Sequence, residues 1–145
     1  MNAEVGTRNA EQNEGVLRRR DLVERTKAFA VDVVGLIQEL PRNRVADVIG
    51  HQLLRAGTSV AANYRSARRA RSPREFLAKM GIVEEEADES SFWLELLVEA
   101  QVVASQRVVE LRHEAEQLVA ITVASIRTAR GGRGSVPRSA FRVPR

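Results

Sequence analysis

Residues 44–76 read RVADVIGHQLLRAGTSVAANYRSARRARSPREF, and two features in them decide the fold. The first is a stripe. Ile49, Leu53, Ala56, Val60, Asn63 and Ala67 recur at alternating spacings of four and three. A helix turns once in about 3.6 residues, so this alternation lines one face of a long helix. The second is a break. Ser72-Pro73-Arg74-Glu75 places a serine at the N-cap, a proline at the first helical position and a glutamate at the third. Such a cap satisfies the free amides of a new helix, and proline fits where its missing N–H is not needed. One helix therefore spans about 44–70, with Asn43 as its N-cap, and another begins at 73.

The same alternation continues on both sides. Leu22, Thr26, Phe29, Val33, Leu36 and Leu40 predict a helix over about 22–40, opened by Asp21 and Glu24 as a capping box and stopped by Pro41. Beyond Ser72 the stripe is Phe76, Met80, Val83, Ala87, Ser90, Leu94 and Leu97, followed by Val108, Leu111, Ala115, Leu118, Thr122 and Ser125 on a helix over about 107–129. Strict four-three alternation predicts shallow, knobs-into-holes packing. Short connections make neighbours antiparallel. The expected fold is all-α: an up-down-up-down four-helix bundle. Middle helices of about 27 and 31 residues, or roughly 40–46 Å, would form a central hairpin longer than its partners.

Residues 1–20 lack apolar periodicity and are expected to be a disordered arm. Residues 130–145, RGGRGSVPRSAFRVPR, hold five arginines and no acid and are expected to be a disordered tail. The bundle itself is assigned to 21–129. The formal net charge of +4 belongs to that tail, because 18 bases face 19 acids in the remaining residues. No apolar run reaches the roughly 18 residues of a membrane span and no secretory signal is visible, so a cytoplasmic protein without membrane contact is expected. The absence of cysteine excludes disulfides, thiol catalysis and cysteine-held zinc.

Catalytic chemistry finds no foothold. Nucleophile-elbow and phosphate-loop motifs are missing. A di-iron bundle needs two Glu-x-x-His pairs pointing inward; Glu110-x-x-His113 stands alone and, like His51, lies off the apolar stripe. Neither a catalytic residue, a metal site nor a cofactor is expected.

Charge placement is more informative. Arg65, Arg68, Arg69, Arg71, Arg74 and Lys79 surround one acid, Glu75, whereas 84–99 hold seven acids and no base. In an antiparallel hairpin Glu84 lies roughly 14 Å along the axis from Arg69, beyond a screening length of about 8 Å. The two clusters therefore cannot neutralise each other. Arginine forks suit phosphate oxygens, so Arg65, Arg68, Arg69, Arg71 and Arg74 are the candidate nucleic-acid contacts, for RNA or DNA. With only Tyr64 and Phe76 nearby for stacking, they would grip backbone rather than read sequence. Two second rows, Glu89, Trp93, Leu96 and Ala100 on the third helix and Val119, Val123 and Ile126 on the fourth, fit either a broad core stripe or a face buried against another subunit. Trp93, Leu96, Val119 and Val123 are the candidate oligomer interface. Asn63, placed between Val60 and Ala67, is expected to be a polar core residue that fixes register, with Ser90 as a candidate partner.

The run His51-Gln52-Leu53-Leu54-Arg55-Ala56-Gly57-Thr58-Ser59-Val60-Ala61-Ala62-Asn63 resembles the Q-L-x-R-A-x-x-S-I-x-x-N signature of a bacterial four-helix-bundle family. Its founding members are encoded in intervening sequences of large-subunit ribosomal RNA genes. Leu40-Pro41 and the continuation from Arg68 to Phe76 also fit, and the match covers about 22–128. Many members continue after the asparagine with Ile-Ala-Glu-Gly, where this chain has Tyr64-Arg65-Ser66-Ala67; many carry Gly-Ser where it has Glu85-Glu86. It thus resembles a side branch. The resemblance implies a homo-pentameric ring without known enzymatic activity, with Arg55 and Asn63 as structural signature positions. It extends to the accessory proteins of diversity-generating retroelements, basic barrels that bind nucleic acid and work with a reverse transcriptase. The expected function is a non-enzymatic oligomeric accessory protein that binds nucleic-acid backbone; the alternative is a structural or protein-interaction bundle with no nucleic-acid role.

Overall fold

The computed structural model describes residues 22–131. Within them four helices run in sequence: α1 over 22–39, α2 over Arg44–Arg68, α3 over Pro73–Glu99 and α4 over Ser105–Gly131. The expected N-terminal arm, the Asp21 cap and all of the expected tail beyond 131 lie outside the described residues. Each boundary has a local cause. Pro41 ends α1, because its ring disfavours helical geometry at Leu40. Asn43 then caps α2, its side chain accepting from the Ala46 amide at 2.9 Å. Ser72 caps α3 by accepting from the Glu75 amide at 3.1 Å, while Glu75 reaches back to the Arg71 amide at 2.9 Å.

The stripes are buried nearly as read. Phe29, Val33, Leu36, Leu53, Val60, Met80, Val83, Leu94, Leu97, Val108 and Leu118 form the core. Leu40, Phe76 and Ser125, at the stripe ends, are half-buried. Buried hydroxyls are satisfied within their own helices: Thr26, Ser90 and Thr122 each donate to the carbonyl four residues back, at 2.6–2.7 Å. No buried side-chain nitrogen or oxygen among the described residues lacks a partner.

Two expectations need correction. Helix α3 is 27 residues long rather than 31, and α4 starts at Ser105 and is also 27 residues long. The central hairpin is therefore no longer than α4. The apolar pair Val102-Val103 suggests continued helix, but Gln101 takes a left-handed conformation, φ 59°, and reverses the chain. The amides of Val102 and Val103 turn back onto the Leu97 carbonyl at 2.9 and 3.3 Å. Asn63, the other correction, is half-buried, and Tyr64 occupies the core beside Ala67. At 3.6 residues per turn a strict seven-residue repeat drifts around a straight helix, so by its sixth turn α2 presents the next residue inward. Asn63 Nδ2 donates to the Ser59 carbonyl at 2.9 Å and is not paired with Ser90.

Helix α2 also buries a seam of small residues, Ala46, Gly50 and Gly57, that the apolar stripe does not reveal. It lets α1 pack closely: a Cβ built on Gly57 would lie 2.9 Å from Val33 Cγ2. Helix α3 packs between α2 and α4, and α4 meets α1 through Arg25–Glu114 and Arg107–Glu39 ion pairs. No helix among the described residues is long and apolar enough to cross a membrane.

Candidate nucleic-acid interface

The α2–α3 turn is anchored by alanines. Ala67 and Ala70 are buried, 1% and 6% exposed, and the Arg69 and Ala70 amides donate to the Ser66 and Ala67 carbonyls at 3.1 Å. With the turn's small residues inward, its long ones are driven outward: Arg65, Arg68, Arg69, Arg71 and Arg74 are all exposed. The structure thus brings all five sequence-identified arginines to one convex tip. Arg65 and Arg68 sit in the last turn of α2, where the helix dipole favours cations. Glu75, the acid in the cluster, has one carboxylate oxygen committed to the Arg71 amide. Among the described residues, no carboxylate forms an ion pair with Arg65, Arg69, Arg71 or Arg74. Tyr64 is buried and Phe76 is half-buried, so neither aromatic lies open on the tip as a base-stacking platform.

The acidic belt is separate from the tip, as the spacing predicts, but it is not left wholly uncompensated. Arg55 of α2 reaches Glu86 at 3.2 Å and Glu89 at 2.5 Å, and Arg112 of α4 reaches Glu95 at 3.3 Å. These are cross-helix contacts, set by the register of antiparallel neighbours. Counting charges along one segment does not reveal them. The signature position Arg55 thus holds α2 to the belt.

Trp93 is drawn into the same network. Its indole N–H donates to Glu89 Oε1 at 3.1 Å, and Phe92 packs edge-on against it with ring centroids 4.9 Å apart. That indole donation, and secondarily the Arg55 guanidinium, holds the Glu89 carboxyl below the ordinary carboxylate range. Arg55 is raised in turn, by Glu89 first and Glu86 second. Trp93, Leu96 and Val119 are half-buried and pack against the core, and Val123 is half-buried on α4. Phe92, which the stripes do not single out, is 51% exposed beside them. Glu110, His113 and His51 are exposed, as their places off the stripes predict.

The family described as 23S rRNA-intervening sequence protein matches residues 18–124. Among solved structures, the chain is similar to a protein of unknown function from the S23 ribosomal protein family of Bacteroides thetaiotaomicron VPI-5482. The two are 30% identical with a TM-score of 0.70, over 74% of this chain and 99% of that chain. No curated protein matches significantly. Signature residues, four-helix architecture and a match over most of the bundle agree, and the chain belongs to the 23S rRNA-intervening sequence protein family.

Proposed function

We propose that this chain is a non-enzymatic, oligomeric accessory protein that binds nucleic-acid backbone through the α2–α3 tip. The observation that carries this reading is the exposure of Arg65, Arg68, Arg69, Arg71 and Arg74 on one turn whose nearby acid, Glu75, caps the helix. Guanidinium forks on a convex tip engage phosphates and release counterions, which favours binding with little sequence preference. A second copy covers the half-buried apolar side chains of α3 and α4, Trp93 and Leu96 beside exposed Phe92 and Val119 and Val123 on α4. Self-association through those side chains, in the ring that the family resemblance implies, repeats the arginine tip around a symmetry axis.

The test is salt-dependent binding of RNA and DNA duplexes by fluorescence anisotropy, together with mass in solution. Wild-type protein binds at about 50 mM salt, and Arg65/Arg68/Arg69→Ala loses affinity and lowers the slope of log K against log salt by up to about 0.9 per lost phosphate contact on DNA. No binding at that salt, or an unchanged triple variant, overturns the nucleic-acid reading. A stable monomer overturns the oligomeric one. The second reading, a bundle that only binds protein, draws on exposed Phe92 stacked edge-on against half-buried Trp93; an oligomer that binds no nucleic acid supports it.

A further inference from the structure

The exposed large apolar side chains of the described residues fall into two groups. On α1, Val23, Val31 and Val34 are exposed. With Lys27 they follow at spacings of four, four and three, so they share a face turned away from buried Phe29, Val33 and Leu36. Exposed Val109 of α4 borders the same groove as Val31. The second group lies across α2 and α3. Ile82, Glu85, Glu89, Phe92 and Leu96 follow at alternating spacings of three and four, a second seam on α3 beside the buried one, and Ile82 and Phe92 on it are exposed. Two exposed valines of α2 widen this seam. Arg55 meets Glu89; Val48 lies seven residues before Arg55 and Leu96 seven after Glu89, so in the antiparallel hairpin Val48 stands beside Leu96. Val45 borders the same depression as Ala100 and Val102. Half-buried Trp93 and Leu96 thus floor a trough whose walls are Val48 and Phe92.

Single exposed apolar residues are ordinary, whereas grouped ones mark contact surfaces. The two groups differ in charge. Between residues 25 and 38, α1 carries one acid, Asp32, which borders the α1–α4 groove with Arg107. Lys27 therefore stands among the valines with Glu24, at the helix start, as the acid near it. The α3 side is the reverse. Exposed Glu85, Asp88 and Glu99 form no ion pair among the described residues. Symmetry then selects the pairing. An isologous contact of α1 with α1 leaves the trough wet, and one of trough with trough leaves the α1 valines wet and sets like charges together. A heterologous contact between the two groups covers both with one kind of interface.

We infer that the α1 ridge of one copy packs into the α2–α3 trough of the next, with Val31 and Val34 against the Phe92 and Val48 walls and Lys27 toward the unpaired acids of α3. This rests on the oligomeric reading above and names the two unlike surfaces that meet. Phe92 is the anchor, an aromatic ring that leaves water on association. Lys27 and the α3 acids set partner choice and register more than strength. Because each copy offers one ridge and one trough, every copy has two neighbours, and its own α1 stays packed on its own α2.

The experiment is a mixing test on the full chain, read as mass in solution by analytical ultracentrifugation, with far-UV circular dichroism to show that each variant keeps its helix content. Val31→Glu/Val34→Glu spoils the ridge and Ile82→Glu/Phe92→Glu spoils the trough. Each variant alone is expected to be monomeric, because every interface needs one ridge and one trough. Mixed in equal amounts they are expected to form a species of twice the monomer mass, since the first still offers a trough and the second a ridge. If either glutamate pair loses helix, Val31→Ala/Val34→Ala and Ile82→Ala/Phe92→Ala replace them, each expected to weaken self-association by about thirtyfold or more. A single variant that keeps the native mass, or alanine pairs that associate as tightly as the native chain, overturns this inference and leaves the oligomeric reading intact. Two monomeric variants whose mixture stays monomeric overturn the pairing of ridge with trough. A native chain that is itself monomeric overturns the oligomeric reading and this inference with it.

Discussion

A methyl group at Gly57 should cost stability although it improves the helix. Alanine in place of glycine favours an α-helix by about 1 kcal/mol. At Gly57 the new Cβ would lie 2.9, 3.0 and 3.2 Å from Cγ2, Cγ1 and Cβ of Val33, where ordinary contacts begin near 3.4 Å. Val33 is fully buried on α1, and a β-branched side chain in a helix has one strongly preferred rotamer. The clash therefore falls on the α1–α2 separation, and overpacking of this kind costs about 1–3 kcal/mol. Gly57→Ala should come out destabilised by up to about 2 kcal/mol. Gly50 and Gly81 are the controls. A Cβ on Gly50 meets the end of Leu40 at 2.9 Å, a flexible side chain just past the helix, and one on Gly81 meets nothing within 4 Å. Gly50→Ala should be neutral or better, and Gly81→Ala should gain about 0.5–1 kcal/mol. Urea unfolding followed by circular dichroism, at fixed protein concentration because association shifts apparent stability, measures all three. Val33→Ala removes the two Cγ atoms and leaves only the Cβ contact at 3.2 Å, so the Val33→Ala/Gly57→Ala pair should show a favourable coupling of about 1 kcal/mol. If Gly57→Ala is as stable as Gly81→Ala, or the double variant is merely additive, the close packing of α1 on α2 is wrong.

Two further outcomes follow from single residues. Gln101 closes α3 at φ 59°, a region glycine enters freely, so Gln101→Gly should raise the urea midpoint, equivalent to about 1 kcal/mol, and Gln101→Val should lower it. Glu89 is held below its usual pKa by the Trp93 indole and then by Arg55. Its contribution to stability is therefore present at neutral pH and is lost as pH falls from the unfolded carboxylate value through the lowered folded one. Glu89→Gln should consequently be less stable than wild type at pH 7 but approach it in acid, with Trp93 fluorescence reporting the loss. Parallel pH profiles for the two proteins would refute the assignment.

Helix starts are legible in this sequence because capping is local. Asn43 and Ser72-Pro73 state their roles within four residues, and both caps form as read. The stripes are legible for a similar reason, since one face of one helix is a periodic property of one segment. What escapes is whatever needs a second segment. The end of α3 is hidden because Gln101, not glycine, adopts the left-handed turn, and the turn is held by Val102 and Val103 folding back onto Leu97. The Ala46, Gly50 and Gly57 seam becomes visible only once α1 lies against it.

The same division governs the site. The arginine tip could be listed from the sequence because its residues are consecutive around one turn, and side chains near a turn tend to face water once its alanines are buried. Its separation from the acidic belt followed from helical rise alone. The belt's own compensation did not, because Arg55 meets Glu86 and Glu89 across 31 and 34 residues of chain. This asymmetry matters for function. Arg55 and Arg112 are committed to carboxylates in the middle of the bundle, and at the far end exposed Arg42, Arg44 and Arg107 sit among the exposed acids Glu39, Asp47, Glu99 and Glu110, whereas Arg65, Arg68, Arg69, Arg71 and Arg74 share the tip with Glu75, so the charge of the folded body is segregated along its axis. A near-neutral body can then present a cationic pole without the self-repulsion of a high net charge. A ligand bearing closely spaced phosphates meets a local field there that the overall composition does not reveal.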